Sequence, residues 1–335
     1  MKKIIIYILI LLILIFIIPV FFTKITVESN SLVNNNELQQ IGQTQITNES
    51  YNYKNYNTIK LVHTKDNSIE EIGLDEYLYG VVSAEMPADY ETEALKTQAI
   101  VARTYTAYKM FKGSKHENAD ICDSASCCQA WISKENRLAK WNAETSQSNW
   151  DKIVSAVDST ENLIITYDEE PINAFFHSNS GGTTEIVSNV WGGTDYPYLQ
   201  SVATSGEEGY SQYSSEVVLT KDELIQKIKE AYPEAEIDFN LENQIQILEY
   251  TDSGRVRTIQ FGNISISGVE ARTIFGLKSA KFSVEVGENV SFKVVGYGHG
   301  VGLSQTGADA MAKTGANYEQ IINHYYSNVK IEKIE

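Results

Sequence analysis

Hydrophobic and polar positions repeat with a helical period near the start of the polar part of the chain. Apolar side chains recur at i, i+3, i+4, i+7 and i+8, at Leu74, Tyr77, Leu78, Val81 and Val82. This spacing places them on one face of an amphipathic helix. Pro87 must end that helix because proline has no N–H group to continue it. The pattern therefore predicts that Glu85 lies at a helix C-terminus.

Short strands and a second long helix surround this first helix in the predicted order. Ile59–Val62 and Ile69–Ile72 are typical of strands, and Asp66–Ser68 is typical of the turn between them. A further helix is predicted from Glu93 to Phe111, where its alanines permit close packing and Gly113 ends it. A β-hairpin followed by two packed helices is the expected start of the folded region.

The rest of the chain alternates between strand and helix patterns. Two strands are predicted to form a hairpin through the turn Asp168–Pro171, namely Leu163–Tyr167 and Ile172–Phe176. The later predicted elements are the helix Lys221–Tyr232, the strands Gln244–Tyr250, Val256–Phe261 and Val290–Val295, and the helices Ala308–Lys313 and Tyr318–Tyr326. Together they predict an α+β fold with a mixed core of helices and antiparallel sheet, and a small inserted α/β lobe at about 215–285.

The N-terminal segment has a different composition from the rest. Two lysines precede a predominantly apolar run from Ile4 to Phe22, which as a helix would be roughly 29 Å long, enough to cross a bilayer. We predict an uncleaved signal anchor over 1–22 and a single-pass protein of the cell membrane whose folded part is extracytoplasmic. A signal peptide cleaved at an atypical site is the alternative. The polar segment 23–57 is predicted to be a flexible tether, and 58–335 the folded domain.

Composition and charge narrow the classes of partner. The 335 residues are 42% hydrophobic, which is enough for a sizeable core, and the formal net charge is −17. A phosphate backbone would be repelled by this field, so nucleic acid is excluded as an expected partner. A largely uncharged polysaccharide is not excluded.

Glu85 is a candidate proton donor because of its place on the helix. The negative end of the helix dipole and apolar neighbours such as Val82 and Met86 both disfavour ionisation, so its pKa is expected to be raised. A protonated carboxyl group near neutral pH is the state that a glycosidase general acid requires. The alternative is a solvated glutamate with no role.

A glycine-rich segment near the end of the chain, Gly296–Gly302, permits three interpretations. It could be a dinucleotide loop, a flexible turn, or a loop that brings backbone and the His299 ring close to a ligand. The dinucleotide interpretation fails because the chain continues into helices without a second strand and its acidic residue. His299 could also be a packed loop histidine.

Thiol and imidazole groups cluster just after the second predicted helix. His116, Cys122 and Cys128 are each separated by five residues, and such side chains bind zinc. We predict a zinc site with these three ligands, in which Cys127 is spare and water, Asp123 or another carboxylate is the fourth ligand. A disulfide between Cys122 and Cys127 or Cys128 is the alternative, because exported proteins form disulfides.

Four segments of the sequence together resemble one known family. They are Glu85–Pro87, Glu93–Tyr105, Ser180–Thr183 and Gly298–Ala308. In this order they resemble the SpoIID/LytB family, and they span nearly all of the predicted folded region.

The resemblance implies a lytic transglycosylase that cuts peptidoglycan glycan strands after a partner amidase has removed their stem peptides, together with other engulfment proteins during forespore engulfment. It implies that Glu85 is catalytic and that the products carry 1,6-anhydro-N-acetylmuramic acid ends. It also implies a set of substrate-binding residues, namely His177, Ser180, His299, Ser304, Gln305 and Arg103. The family does not guarantee a metal, so the zinc, which we expect to be structural, rests on the cysteine loop.

Three other functions are compatible with parts of the sequence. The chain could be a non-catalytic wall-binding protein that enhances an amidase, with a structural Glu85. A zinc hydrolase is less compatible because thiolate-rich sites suit structural zinc better than hydrolysis. A cysteine peptidase needs a thiol of low pKa paired with a histidine, and a metal explains the clustered cysteines more simply.

Overall fold

Two hydrophobic cores, each built from helices and antiparallel strands, organise the part of the chain that the computed structural model describes, residues 57–334. The helices are α1 (Leu74–Glu85), α2 (Thr92–Lys112), α3 (Lys134–Lys140), α4 (Ser146–Asp158), α5 (Val187–Trp191), α6 (Lys221–Ala231), α7 (Gly268–Phe275), α8 (Gln305–Lys313) and α9 (Tyr318–Tyr325). This mixture of helices with mainly antiparallel sheets confirms the α+β class.

The strands are short, and they form several small sheets rather than one large one. They are β1 (Thr58–Val62), β2 (Ile69–Gly73), β3 (Ile121–Cys122), β4 (Leu163–Tyr167), β5 (Glu170–Pro171), β6 (Phe176–His177), β7 (Ser214–Thr220), β8 (Ile245–Tyr250), β9 (Val256–Phe261), β10 (Ile264–Ser267), β11 (Phe282–Val286), β12 (Asn289–Val295), β13 (Leu303–Ser304) and β14 (Lys330–Lys333). The three-stranded sheets have the orders β2-β1-β3, β10-β9-β8, β11-β12-β7 and β14-β4-β5, and β13 pairs with β6.

The predicted membrane anchor lies outside the described residues, and so does nearly all of the predicted tether. Within residues 57–334, no helix combines the length and the hydropathy needed to cross a bilayer.

Helix α2 is the centre of the first core. It packs against α1, α4, α8 and α9 and against strand β4. Its small side chains Ala94, Ala99 and Ala102 are fully buried, which lets neighbouring helices approach closely. The predicted start and end of α1 and α2 are confirmed to within a residue or two, because periodicity and a helix-ending proline or glycine determine them locally.

The cysteine loop is joined to the first sheet. The predicted hairpin β1–β2 is confirmed, with antiparallel pairs from Thr58–Gly73 to Val62–Ile69. Strand β3 adds to the other edge of β1 in parallel, which pairs Val62 with Cys122. Cys122 is therefore buried at a sheet edge, at the entry to the loop that carries the other two cysteines.

The predicted hairpin after α4 is shorter than expected. Strand β4 has the predicted bounds, but it pairs with Glu170–Pro171 instead of a strand over Ile172–Phe176. The turn contains only Asp168 and Glu169, which both have positive φ angles. A two-residue turn of this kind matches strand twist, so pairing begins at once. The following segment leaves the sheet and reaches β6, which pairs in parallel with β13.

The second core is built from residues between Val217 and Val294. Helix α6 packs against strands β7 and β12, and helix α7 packs against β9 and β10. Each helix begins with a capping box, Thr220 with Glu223 and Ser267 with Glu270. This stretch overlaps the segment at about 215–285 for which the sequence predicts an inserted lobe. The division into domains stays a prediction.

Candidate active site

Glu85 is the last residue of α1, and its carboxylate has two hydrogen-bond donors. The backbone N–H of Ala130 donates to Oε1 at 2.6 Å. The Gln305 side chain donates from Nε2 to Oε2 at 3.3 Å. Burial raises the pKa of Glu85, although both hydrogen bonds act in the opposite direction. The side chain is only partly buried, so it is shielded from water yet open to a ligand.

A cleft of about 700 Å³ opens beside this carboxylate. Its walls are formed by the loop 125–128, the segment 175–178 and the glycine-rich loop at 297–299, with Gln305 at the base. Of the described residues that line the cleft, Glu85 is the only one with a carboxylate. Among the described residues, the cleft thus contains a single carboxyl group.

A second groove of about 650 Å³ lies on the other side of Glu85. It is lined by the residues from Ala84 to Asp89 and by side chains that include Arg137, Trp141 and Gln212. The guanidinium of Arg137 stacks on the Trp141 ring, 4.5 Å from its centroid. Glu85 therefore lines two grooves at once, so an extended ligand could pass on both sides of its carboxylate.

Aromatic rings cover one wall of the first cleft. The Trp191 ring lies 4.8 Å from the ring of Phe175 and 4.9 Å from that of His299, measured between centroids. Trp191 is 50% exposed, unusually high for so large an apolar side chain. Exposed aromatic faces of this kind can stack on the apolar faces of sugar rings.

Two neutral histidines, His177 and His299, line the same cleft. Burial, with a contribution from the charge of Arg255, lowers the pKa of His177 to about 3, and burial lowers the pKa of His299 as well. The Nδ1–H group of His177 donates to the Val301 carbonyl at 3.1 Å. Its Nε2 therefore has a free lone pair, and that buried atom has no partner among the described residues. His177 is thus held in one orientation, with its Nε2 acceptor atom buried.

The glycine-rich loop approaches this wall closely. At Gly302 (φ 72°), a side chain would collide with the Phe175 carbonyl, and at Gly298 (φ 115°) it would come within 2.8 Å of the His177 Cβ. Both glycines have backbone angles that other residues rarely adopt. Among the interpretations of Gly296–Gly302, the structure favours close packing of backbone and the His299 ring against the cleft wall.

Three of the six predicted substrate-binding residues line the cleft, namely His177, His299 and Gln305. Arg103 does not. Its guanidinium is 1% exposed, donates to the Thr160 carbonyl at 2.8 Å and lies 3.6 Å from Asp75. It joins α2 to the end of α4, so the expectation that it contacts substrate is wrong, and its role is structural.

Ser180 and Ser304 are also buried and do not line the cleft. Both hydroxyl groups donate to the buried carboxylate of Glu207, and Ser180 does so at 2.5 Å. Glu207 thereby fastens the Ser180–Gly182 turn to the start of α8. The two serines hold the walls together instead of binding a ligand, because their hydroxyl groups are already used inside the protein.

Sequence patterns did not identify several residues of the cleft. Phe175, Trp191 and Arg272 line it, but each belongs to a different local element. Of these residues, only Trp191 could have been identified from the sequence. It is followed by two glycines and lies in a polar stretch, which is unlike the surroundings of a core tryptophan.

The histidine and all three cysteines of the loop form one cluster. The ligand atoms of His116, Cys122, Cys127 and Cys128 all lie within 4.8 Å of one another. The expectation that Cys127 is spare is therefore wrong, because a tight turn brings the sulfurs of Cys127 and Cys128 to 3.8 Å from each other. All three cysteines are free thiols, which does not support the disulfide alternative.

The spacing within this cluster fits a tetrahedral metal ion. The His116 Nε2 atom is 3.3 Å from the Cys128 sulfur and 3.5 Å from the Cys127 sulfur. Zn–S bonds of about 2.3 Å and Zn–N bonds of about 2.0 Å imply ligand separations of roughly 3.8 Å between sulfurs and roughly 3.5 Å between sulfur and nitrogen. Because all four ligand atoms lie within 4.8 Å of one another, the four side chains could hold a metal ion after small adjustments.

The cluster is connected to Glu85 through only two residues. Gln129 is buried and donates to the Tyr77 hydroxyl at 2.8 Å and to Thr106 Oγ1 at 3.0 Å, which anchors the loop on α1 and α2. Ala130, next in the chain, donates its backbone N–H to Glu85. The position of the cysteine loop thus determines the hydrogen bonding of the candidate acid.

Comparisons with known proteins agree with these observations. A family model described as "SpoIID: Stage II sporulation protein" matches residues 62–167. Two proteins named "Stage II sporulation protein D", from Bacillus amyloliquefaciens and Bacillus subtilis (strain 168), are each 32% identical to the chain over 282 residues. These alignments cover 83% of the chain and 79% and 80% of the two relatives. An "Amidase enhancer" of Bacillus subtilis (strain 168) is 25% identical over 301 residues, which is 74% of the chain and 39% of that protein.

Proposed function

The chain belongs to the SpoIID family of stage II sporulation proteins, and on this premise we propose that it is a lytic transglycosylase that cleaves peptidoglycan glycan strands. The observation that carries the proposal is a single partly buried carboxyl group, Glu85, whose pKa is raised and which lines two open grooves. Its context is the cell wall during sporulation, in particular engulfment of the forespore. The predicted anchor would hold the enzyme at the cell membrane with its folded part outside.

One carboxyl group is sufficient for this reaction because the nucleophile belongs to the substrate. Protonated Glu85 gives its proton to the oxygen between N-acetylmuramic acid and N-acetylglucosamine as that bond breaks. The C6 hydroxyl of the muramic acid then attacks C1, and the carboxylate takes the proton that this hydroxyl loses. A 1,6-anhydro ring forms, no water is consumed, and Glu85 returns to its starting state.

The hydrogen bonds at Glu85 support both halves of this cycle. The Ala130 N–H group fixes the orientation of Oε1, so Oε2 is the oxygen available to exchange a proton. When Glu85 is ionised, the Gln305 side chain can donate a hydrogen bond to Oε2. The distance between Gln305 Nε2 and Oε2 is 3.3 Å, so this hydrogen bond is weak and can break when Oε2 carries the proton. Burial favours the protonated form before reaction.

The two grooves supply space for sugars on both sides of the scissile bond. Aromatic rings line each of them, with Trp191 in one and Trp141 in the other. A glycan strand can therefore lie across Glu85 with rings stacked on either side. Asp89 also lines the second groove but is exposed, whereas a hydrolase with two carboxylates would need a second acid facing the same bond.

Product analysis tests the proposal. Purified protein incubated with peptide-stripped glycan should release strands with 1,6-anhydro ends, identified by mass spectrometry. Glu85→Gln should lower the rate by about 100-fold or more, since the amide keeps the shape but cannot supply a proton. Glu234→Gln is the matched control, because Glu234 is an exposed glutamate that lines neither groove, and it should keep the activity. Ordinary reducing ends, or full activity of Glu85→Gln, would refute the mechanism.

A non-catalytic role is the second candidate, and the similarity to an amidase enhancer favours it. In that case the grooves would bind glycan while a partner amidase acts on the stem peptides. The same assay separates the two functions, because an enhancer binds stripped strands but releases no 1,6-anhydro products in the absence of the amidase. An amidase and other engulfment proteins are proposed partners for either function.

We propose in addition that His116, Cys122, Cys127 and Cys128 hold a structural zinc ion. Three thiolates and one imidazole complete a tetrahedron and leave no open position for a reacting water, which is typical of structural sites. The loop 125–128 forms a wall of the cleft, so ordering this loop would stabilise both the wall and the Ala130 N–H donor. Zinc therefore contributes shape, and the chemistry belongs to Glu85.

A further inference from the structure

Arg272 is a charged side chain in the cleft that has no partner of opposite charge among residues 57–334. It lies on α7, in the second core, and its partly buried side chain lines the same cleft as Glu85. Among the residues in 57–334, no hydrogen bond or ion pair to its guanidinium group is found. A guanidinium partly removed from water without an acceptor is unfavourable, so a ligand that supplies an acceptor would be bound strongly.

Other cations near the cleft are already engaged. Arg255 donates to the Thr183 and Ser180 carbonyls at 2.9 Å, and Glu185 lies near it. The ammonium group of Lys109 lies 4.9 Å above the centre of the Tyr105 ring. Of the two cations that line the cleft in the described region, Arg272 is thus the one without a compensating group.

Arg272 places a positive charge in the cleft, although the chain has a net charge of −17. His177 and His299 line the same cleft, and both are neutral because burial, with a contribution from the charge of Arg272, lowers their pKa values. No carboxylate other than Glu85 lines the cleft within the described part of the chain, and burial raises the pKa of Glu85. An anion entering here meets attraction.

The proposed substrate carries an anion at a regular position. Each N-acetylmuramic acid has a lactyl group whose carboxylate is free after the stem peptide is removed, whereas in a peptide-bearing strand the same carbon is a neutral amide. Building on the function proposed above, we propose that Arg272 binds the lactyl carboxylate of muramic acid and so selects glycan strands that have lost their stem peptides.

The geometry of the two groups suits this pairing. A guanidinium presents two parallel N–H donors to a carboxylate, and such bidentate bonds are stronger than those between neutral groups. A peptide amide offers one neutral oxygen and brings the remaining peptide chain to the wall formed by Trp191 and Tyr297. Both effects disfavour strands that carry stem peptides, because their lactyl group has no negative charge and their peptide chain meets this wall.

A binding experiment in the uncleaving Glu85→Gln background tests the pairing. The ligands are peptide-stripped strands with free lactyl carboxylates and the same strands after conversion of these carboxylates to methylamides. Conversion should weaken binding by about 10- to 100-fold in the background protein. Adding Arg272→Gln should weaken binding of the free-carboxylate strands to the same degree and remove most of the difference between the two ligands.

Arg257→Gln is the matched control, because Arg257 is an exposed arginine of β9 paired with Glu249 at 3.1 Å and does not line the cleft. It should bind both ligands as the background protein does, and Arg272→Lys should keep part of the preference through its charge. Thermal unfolding of the Arg272 variant checks that it folds.

The proposal would be overturned if conversion of the carboxylates weakened binding equally in the Glu85→Gln protein and in the Glu85→Gln protein that also carries Arg272→Gln. It would also be overturned if the Glu85→Gln protein did not bind stripped strands. Since binding is measured without cleavage, this outcome is independent of whether the wild-type protein produces 1,6-anhydro ends. The catalytic proposal and the Arg272 proposal can therefore fail separately.

Discussion

The surroundings of Glu85 act on its pKa in opposite directions. Desolvation favours its neutral form, while the donors from Ala130 and Gln305 limit that preference. A carboxyl group that is too strongly desolvated could not ionise after giving up its proton, and one in free solvent would be ionised before reaction. The observed balance suits a group that must act first as acid and then as base.

The raised pKa of Glu85 predicts a pH-dependent stability difference between the wild-type protein and Glu85→Gln. The folded state holds the proton more tightly than the unfolded state, so the stabilisation from protonation is complete below the unfolded pKa and is lost as pH rises through the folded pKa. Since the amide does not ionise, the Tm of Glu85→Gln should increase relative to that of the wild type as the pH rises above about 4.5, the ordinary pKa of a glutamate, and through the raised pKa of folded Glu85. Thermal unfolding across this range measures the difference.

A Tm difference that stays constant over the pH range would show that Glu85 has no raised pKa. The rate of glycan cleavage should decrease over the same rise in pH, because the acid form is lost. Agreement of the two profiles would connect the stability effect with catalysis.

Residue patterns identified the candidate acid but not the function of every polar side chain. Arg103 and Gln305 occur in family-like segments of the same kind, yet Arg103 is enclosed in the core and Gln305 contacts Glu85. A polar side chain in a helical segment can face either a core or a cleft, and the sequence near it does not distinguish the two. The contacts between distant segments decide it.

At the scale of elements, α1 is positioned by a close contact with the segment that follows the cysteine loop. Gly80 lies against this segment, where a Cβ atom would collide with the Trp131 ring and come within 2.8 Å of the Ile132 carbonyl. Glycine is needed here because two chains approach each other, and Ala130 lies just before the contact. The same packing therefore determines the distance between Ala130 and Glu85.

Gly80→Ala is predicted to destabilise the protein by about 1–3 kcal/mol, because the added methyl group forces α1 and the 131–132 segment apart. Denaturant unfolding measures this loss, and the cleavage rate should also decrease as the Ala130 donor moves. Gly73→Ala at the start of the same helix is the control, since its nearest atoms are 4.0 Å from a new Cβ. Equal stability of the two variants would contradict the tight contact.

Zinc removal tests the cysteine loop as an element. Purified protein should contain about one zinc ion per chain by mass spectrometry of metals, and a chelator should remove the stabilisation that the metal provides, about 4 kcal/mol when free zinc is 1,000 times its Kd. Cys127→Ser and Cys128→Ser should each lower metal content and Tm together. Ser126→Ala, in the same loop but outside the cluster, should change neither. Metal-free protein with a disulfide would refute the site.

At the scale of the whole molecule, both hydrophobic cores contribute to one cleft. The first core supplies Glu85 from the end of α1, and the second supplies Arg272 from α7. The parallel pairing of β6 with β13 lies between them and brings His177 beside Ser304. The segments of the site are therefore assembled only when the complete fold has formed.

The sequence by itself determined the α+β class, the bounds of the main helices, and the place of Glu85 just before a helix-ending proline. These features depend on periodicity, capping and turn residues, which act over a few positions along the chain. Tertiary structure alone decided that Cys127 joins the cluster, that Arg103 is buried, and that Gln305 meets Glu85 from 220 positions away. Such contacts depend on how separate elements pack, and no local pattern encodes that packing.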